Sequence, residues 1–148
     1  MKNIIITAIA FIFCYGSVMA QQTIQQQQVP TAVIEQLATT AKNSTNAEWS
    51  MKDGIYRAQF GPEGKKQLIE FDSTGNITAT GIQILQADLL PSIGHTVKEN
   101  YENRRIKTTY KLDRDGIITY MVTLKGQPFI RLFYSEDGKQ ITNDESNW

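Results

Sequence analysis

Asp53-Gly54-Ile55-Tyr56-Arg57-Ala58-Gln59-Phe60 reads as a tight turn followed by an alternating strand. Asp-Gly before such a run is the strongest short-range hairpin signal, because a two-residue turn needs positive φ at both central positions. Side chains alternate along a strand, so Tyr56, Ala58 and Phe60 share one face and Arg57 and Gln59 the other. The stretch returns in weaker form as Asp115-Gly116-Ile117-Ile118-Thr119-Tyr120-Met121-Val122.

Each copy sits in the same cassette. Val29-Pro30 opens a helix whose stripe is Val33, Ile34, Leu37, Ala38 and Ala41, with proline where a missing N–H costs nothing. A polar loop then leads to Ala47-Glu48-Trp49-Ser50, and the hairpin follows. Lys65 to Phe71 and Ile77 to Leu85 read as further strands around the turn Asp72-Ser73-Thr74-Gly75-Asn76. Leu90-Pro91 opens the second helix, with Ile93, Val97 and Tyr101 as its stripe and Gly94 weakening it. Arg105 to Leu112, Ile118 to Leu124 and Phe129 to Tyr134 alternate as strands, and Glu136-Asp137-Gly138 turns the chain before Ile141. Trp49, Tyr56, Phe60, Phe71, Tyr110, Tyr120 and Tyr134 fall on shared phases and are expected under the helices. Strands this close, without helices between them, imply an antiparallel meander. The expectation is an α+β fold made by tandem duplication, with repeats at about 29–85 and 88–142.

Composition bounds the function. Lys2, the apolar run Ile4 to Tyr15 and Val18-Met19-Ala20 match the n-region, h-region and cleavage site of a signal peptide over residues 1–20, cut after Ala20. The run is shorter than the roughly 18–20 residues that span a bilayer. The bulky neighbours of Cys14 do not suit a lipoprotein signal. The expected location is therefore periplasmic or secreted, with no membrane insertion after cleavage. Residues 21–28 read as a glutamine-rich tether and 29–148 as one domain. Fifteen basic groups balance fifteen acidic ones, which gives no electrostatic case for nucleic acid. The one cysteine lies in the signal segment, so no disulfide supports the domain. Residues 21–148 can bury roughly two-thirds of their unfolded surface, whereas either repeat alone would be marginal. The repeats are expected to share a core.

The order and duplication of Val29-Pro30, Ala47-Glu48-Trp49, Asp53-Gly54-Ile55-Tyr56 and Phe71-Asp72-Ser73-Thr74-Gly75-Asn76 resemble the PepSY-like family. Their echoes are Leu90-Pro91, Tyr110, Asp115-Gly116 and Tyr134-Ser135-Glu136-Asp137-Gly138. That family is also described as similar to beta-lactamase-inhibitor proteins and occurs among exported bacterial proteins. The resemblance implies one sheet of roughly eight antiparallel strands with two helices packed on one face. It brings no catalytic residues and no cofactor.

Sites are sparse. His95 lacks the cysteine or second imidazole that a metal or catalytic role would need, and Ser92 nearby has no acid to complete a triad. Asp113-Arg114-Asp115-Gly116 and the Asp72 loop lack the closing glutamate of a calcium loop. A sheet with helices on one side leaves its other side uncovered. Phe129, Arg131 and Phe133 are expected to point there, with Met121, Thr119, Lys107 and Thr109 in the same phase. Aromatics, arginine and methionine are enriched at protein interfaces. These residues therefore point to a non-enzymatic module that binds an envelope or secreted protein, possible inhibition being the family-flavoured version, as a monomer or weak homodimer. The alternatives are a small-ligand or glycan binder on the same face, the C-terminal segment ending in Trp148 folding over it, or an envelope enzyme. A preformed pocket with converging polar groups would favour a ligand, and a flat aromatic face a protein.

Overall fold

The computed structural model describes residues 22–128 and 130–141. The expected signal peptide, Phe129 and the segment ending in Trp148 lie outside the described residues. Nine strands form one antiparallel sheet in chain order. They are β1 (Gln22–Ile24), β2 (Glu48–Lys52), β3 (Ile55–Phe60), β4 (Gln67–Phe71), β5 (Ile77–Ile84), β6 (Ile106–Arg114), β7 (Ile117–Leu124), β8 (Ile130–Ser135) and β9 (Gln140–Ile141). Helix α1 (Thr31–Thr40) precedes β2, and α2 (Pro91–Asn100) lies between β5 and β6.

The turns behave as their residues require. Asp53 and Gly54 have φ of 52° and 79°, and Asp115 and Gly116 have 52° and 84°, the paired positive values of a two-residue hairpin. Lys52 pairs with Ile55 and Arg114 with Ile117, so each turn sets the register of the strands it joins.

Two clusters lie beneath the helices. Val33 and Leu37 of α1 pack on Trp49, Ala58, Phe60, Ile69 and Phe71. Ile93 and Val97 of α2 pack on Tyr120, Val122, Leu124, Leu132 and Tyr134. A third cluster, Leu68, Ala79, Tyr110, Leu112, Met121 and Phe133, contains no helix residue. It joins β4 and β5 to β6, β7 and β8.

Three expectations change. The sheet has nine strands rather than about eight, because Gln22–Ile24, read as part of a tether, pairs with β2, Ile24 opposite Trp49. Ile24 also packs on the first cluster; a single β-branched pair within a glutamine-rich run was the only signal. Tyr110 lies opposite the helices, as does Leu112. The cause is an irregularity in β6: Ile106 pairs with Leu124 but Thr108 pairs with Thr123. One extra residue in a strand reverses the facing of everything beyond it. The same reversal turns Thr109 towards the helix side, where it pairs with Val122. The cluster that links the strands before α2 to those after it is thus on the face without helices.

Candidate functional site

Directly paired residues of antiparallel strands project to the same side, and the register assembles the helix-free face from β3 to β8. Arg57 pairs with Glu70 and Gln59 with Leu68; Leu68 pairs with Gly81, which pairs with Leu112. Tyr110 pairs with Met121, Met121 with Phe133, and Thr123 with Arg131. The apolar members form a floor. Leu112 is 1% exposed, Met121 5% and Phe133 7%. Gly81 makes room for Leu112, whose Cδ2 lies 2.6 Å from where a Cβ on residue 81 would stand.

Above this floor lies a cleft of about 570 Å³ lined from β3, β4, β6, β7 and β8 and the loops beside them. A single hollow lined from so many strands requires the face to be concave there. Leu68, Tyr110 and Met121 line its base, Gln59, Thr108 and Thr123 add amide and hydroxyl groups, and Arg57, Lys66, Lys107 and Arg131 add positive charge against Glu63.

The charges are held by specific contacts. Glu70, 1% exposed, accepts from Arg57 Nε at 2.9 Å and Nη2 at 2.6 Å, both on Oε1. Its other oxygen accepts from Arg114 Nη2 at 3.1 Å. Two guanidiniums thus share one buried carboxylate. Lys66 Nζ stands 3.6 Å from both Glu48 and Glu63, loose pairs on the solvated rim. Although residue Arg131 is exposed overall, burial lowers its guanidinium pKa, and the like charge of Arg57 lowers it further. Gln59 Nε2 donates to Tyr110 Oη; burial raises the Tyr110 phenol pKa, and the Gln59 hydrogen bond opposes that rise.

Of the residues expected here, Lys107, Met121 and Arg131 line the cleft. Thr119 shares the face, between Leu112 and Ser135, but stands outside the cleft lining. Phe133 belongs to the floor rather than to an exposed patch, and Phe129 is outside the described residues. Arg57, Gln59, Leu68, Glu70, Thr108, Tyr110 and Thr123 are additions. The alternation of β3 already placed Arg57 and Gln59 opposite the core, so the signal was present for those two. For Tyr110 and Thr108 it was hidden by the bulge.

His95 is far from this chemistry, exposed on α2 and 3.1 Å from Glu99 one turn on. The aspartate loops are self-satisfied turns. Asp72 accepts from Thr74 Oγ1 at 2.6 Å and Asn76 Nδ2 at 2.9 Å, and hydrogen bonds from Thr74 first and Asn76 second hold its pKa at about 2. Asp137 is likewise held at about 2, by Lys139 and then Ser135. Among the described residues no three His, Cys, Asp or Glu side chains converge to hold a metal, and no helix is long and apolar enough to cross a membrane.

No family model matches the sequence, and no curated protein matches it. Solved structures share its fold. A DUF2874 family protein from Bacteroides ovatus superposes with a TM-score of 0.57 at 18% identity, over 77% of this chain and 85% of the other. A BLIP-like protein from Bacteroides fragilis gives 0.51 at 23% identity, over 81% and 92%. A candidate periplasmic protein from Bacteroides eggerthii gives 0.61 at 11% identity, over 76% and 86%.

Proposed function

We propose that this chain is a non-enzymatic, exported binding module of PepSY-like type that recognises an envelope or secreted protein through the uncovered face of its sheet. One observation carries the reading: a cleft of about 570 Å³ on the side of the sheet away from both helices, with a buried apolar floor and a rim of cations and hydroxyls. A buried floor gives the site a fixed shape, and the polar rim gives it a means of selection. The lining supports binding rather than catalysis, since it offers guanidinium, ammonium, amide and hydroxyl groups and a single rim carboxylate. The BLIP-like and candidate periplasmic names of its structural neighbours agree with an exported, inhibitor-like binder. That agreement rests on the fold alone.

The small-ligand alternative draws on the cleft volume, which lies within the roughly 300–1,000 Å³ of ligand pockets. Against a glycan stands the state of the aromatic rings. Tyr110 and Phe133 are buried in the floor and offer no open ring face for a sugar to stack on. An open, polar-rimmed cleft suits a segment protruding from a protein.

The test is to immobilise residues 21–148, pass envelope lysate over them, and repeat with Lys107→Glu/Arg131→Glu. Specific proteins should be retained by the first bait and lost from the second. Equal retention by two folded baits would remove the cleft from the binding surface.

A further inference from the structure

We infer that residues 142–148 fold back over the helix-free face, with Trp148 as their anchor, so that the chain fills its own cleft until a partner displaces it. The inference rests on the binding reading above and adds what the partner must compete with.

The face is buried beyond what the sheet alone provides. A sheet with both helices on one side ordinarily presents its other side to solvent. Here Arg57, Leu68, Glu70, Met121, Thr123 and Phe133 are each between 1% and 9% exposed, although both helices pack on the opposite face. A ring, electrostatic or hydrogen-bond contact beyond those above also engages Ser50, Arg57, Lys107, Arg114, Arg131 and Phe133. All six stand on this face: Ser50 pairs with Arg57, Arg114 reaches Glu70, Phe133 pairs with Met121, and Lys107 and Arg131 line the cleft. Burial and engagement together call for a layer over the sheet, and among the described residues no helix or strand lies there.

The chain arrives at this face from its edge. β9 runs antiparallel to β8 with Ile141 beside Phe133, and Ile141 packs against the floor cluster. The next rungs of that register carry the chain past Leu132 and then past Arg131, at the wall of the cleft. From β9 to Tyr110 on β6 is three strand spacings, about 14 Å at ~4.8 Å each. Residues 142–148 extend up to roughly 25 Å, so they reach the middle of the cleft with length to spare. Residues 1–21 enter the sheet at β1, the opposite edge, and the expected cleavage after Ala20 removes nearly all of them.

Composition names the anchor. Thr142-Asn143-Asp144-Glu145-Ser146-Asn147-Trp148 holds one large apolar side chain. An indole joins a broad apolar body to a single N–H donor. The cleft offers both halves of the match. Leu68 and Met121 lie at its base, and thioethers pack well against rings; the hydroxyls of Thr108 and Thr123 and the amide of Gln59 can accept the N–H.

The test reads Trp148 directly. Trp49 and Trp148 are the two tryptophans, so Trp49→Phe in residues 21–148 leaves one indole; the difference between the intact chain and Trp148→Ser isolates the same signal without touching the core. Acrylamide should quench Trp148 at least threefold less than in a free peptide of residues 142–148, at every protein concentration. A nitroxide on Lys107→Cys, in the cleft lining, should quench it at least threefold more than one on Ile82→Cys, which is exposed on the helix side. In the lysate experiment Trp148→Ser should retain the same proteins at least threefold more strongly than the parent bait, and the free 142–148 peptide should displace them. Quenching equal to that of the free peptide, or equal quenching from the two labels, overturns the inference. Protection that is lost on dilution assigns the cover to a second copy and overturns it too, as does equal retention by the Trp148→Ser and parent baits. If Trp148 is open to acrylamide while specific proteins are retained, only this inference fails. If Trp148 is covered at the cleft and neither bait retains a protein, the partner reading fails instead.

Discussion

Single residues in the turns carry more of this fold than their exposure suggests. Gly75 has φ of +94°, and a Cβ there would lie 2.9 Å from the Ala32 carbonyl oxygen in α1. The turn after β4 is pressed against the first turn of the helix, and the turn at Gly138 meets Ser92 of α2 in the same way. Gly54 has φ of +79°, but nothing lies within 4 Å of its Cβ position. Gly75→Ala should therefore cost roughly 2–4 kcal/mol, strain plus a backbone clash, against about 1 kcal/mol for Gly54→Ala. Denaturant midpoints at constant slope would measure both, and equal losses would contradict the close approach. The aspartates beside these glycines set an acid limit. Asp72 and Asp137 titrate at about 2 in the fold against an ordinary 3.8, so the folded state holds their protons more weakly than the unfolded chain does. Their contribution is complete above pH ~4 and is lost as pH falls towards 2. Thermal melts of Asp72→Asn/Asp137→Asn should show a smaller loss of stability across that window than the parent protein.

At the scale of the element, one extra residue in β6 separates what alternation predicts from what the chain does. Helix stripes and the strands next to the Asp-Gly turns were legible because local chemistry sets them: Val33 and Leu37 recur at helical spacing, and Asp53-Gly54 fixes the pairing of β2 with β3. The facing of Tyr110 and Leu112 was not, because the bulge between Ile106 and Thr108 depends on the partner strand. The candidate site divides the same way. Arg131 and Met121 lie on the face that alternation near a turn assigns them, whereas Tyr110 and Thr108 lie beyond the bulge, and Glu70 joins the face's polar contacts only when Arg57 of β3 and Arg114 of β6 reach it. Leu112 tests the corrected phase. If it is packed into the floor opposite the helices, Leu112→Ala should cost about 2–5 kcal/mol, as for other buried leucines. It should also enlarge the cleft and alter ligand affinity, while Trp49→Ala, a loss of roughly 3–5 kcal/mol beneath α1, should leave affinity per folded molecule unchanged. Equal effects of the two on binding would place Leu112 on the helix side.

In the whole molecule the sheet is held together across its middle through the face that carries no helix. The cluster under α1 is built on β2, β3 and β4 and that under α2 on β7 and β8. Between them run the β5–β6 pairing, the floor cluster and the triad, in which Arg57 of β3 and Glu70 of β4 meet Arg114 of β6. The surface proposed to bind a partner is therefore also the seam of the domain, and its central carboxylate serves both purposes. Glu70 is almost fully buried, so Glu70→Gln would remove the carboxylate to which both Arg57 and Arg114 donate. Breaking a buried pair from one side costs on the order of 3 kcal/mol, whereas replacing all its members with apolar groups can be neutral. Glu70→Gln should thus lower the denaturant midpoint markedly, and Arg57→Met/Glu70→Leu/Arg114→Met should recover most of it. The two variants should part company on binding. Glu70→Gln keeps Arg57 in the cleft lining and should retain the partner per folded molecule, while the apolar triple variant, which removes that guanidinium, should retain it more weakly despite its recovered stability. A triple variant that is both stable and undiminished in binding would separate the seam from the site.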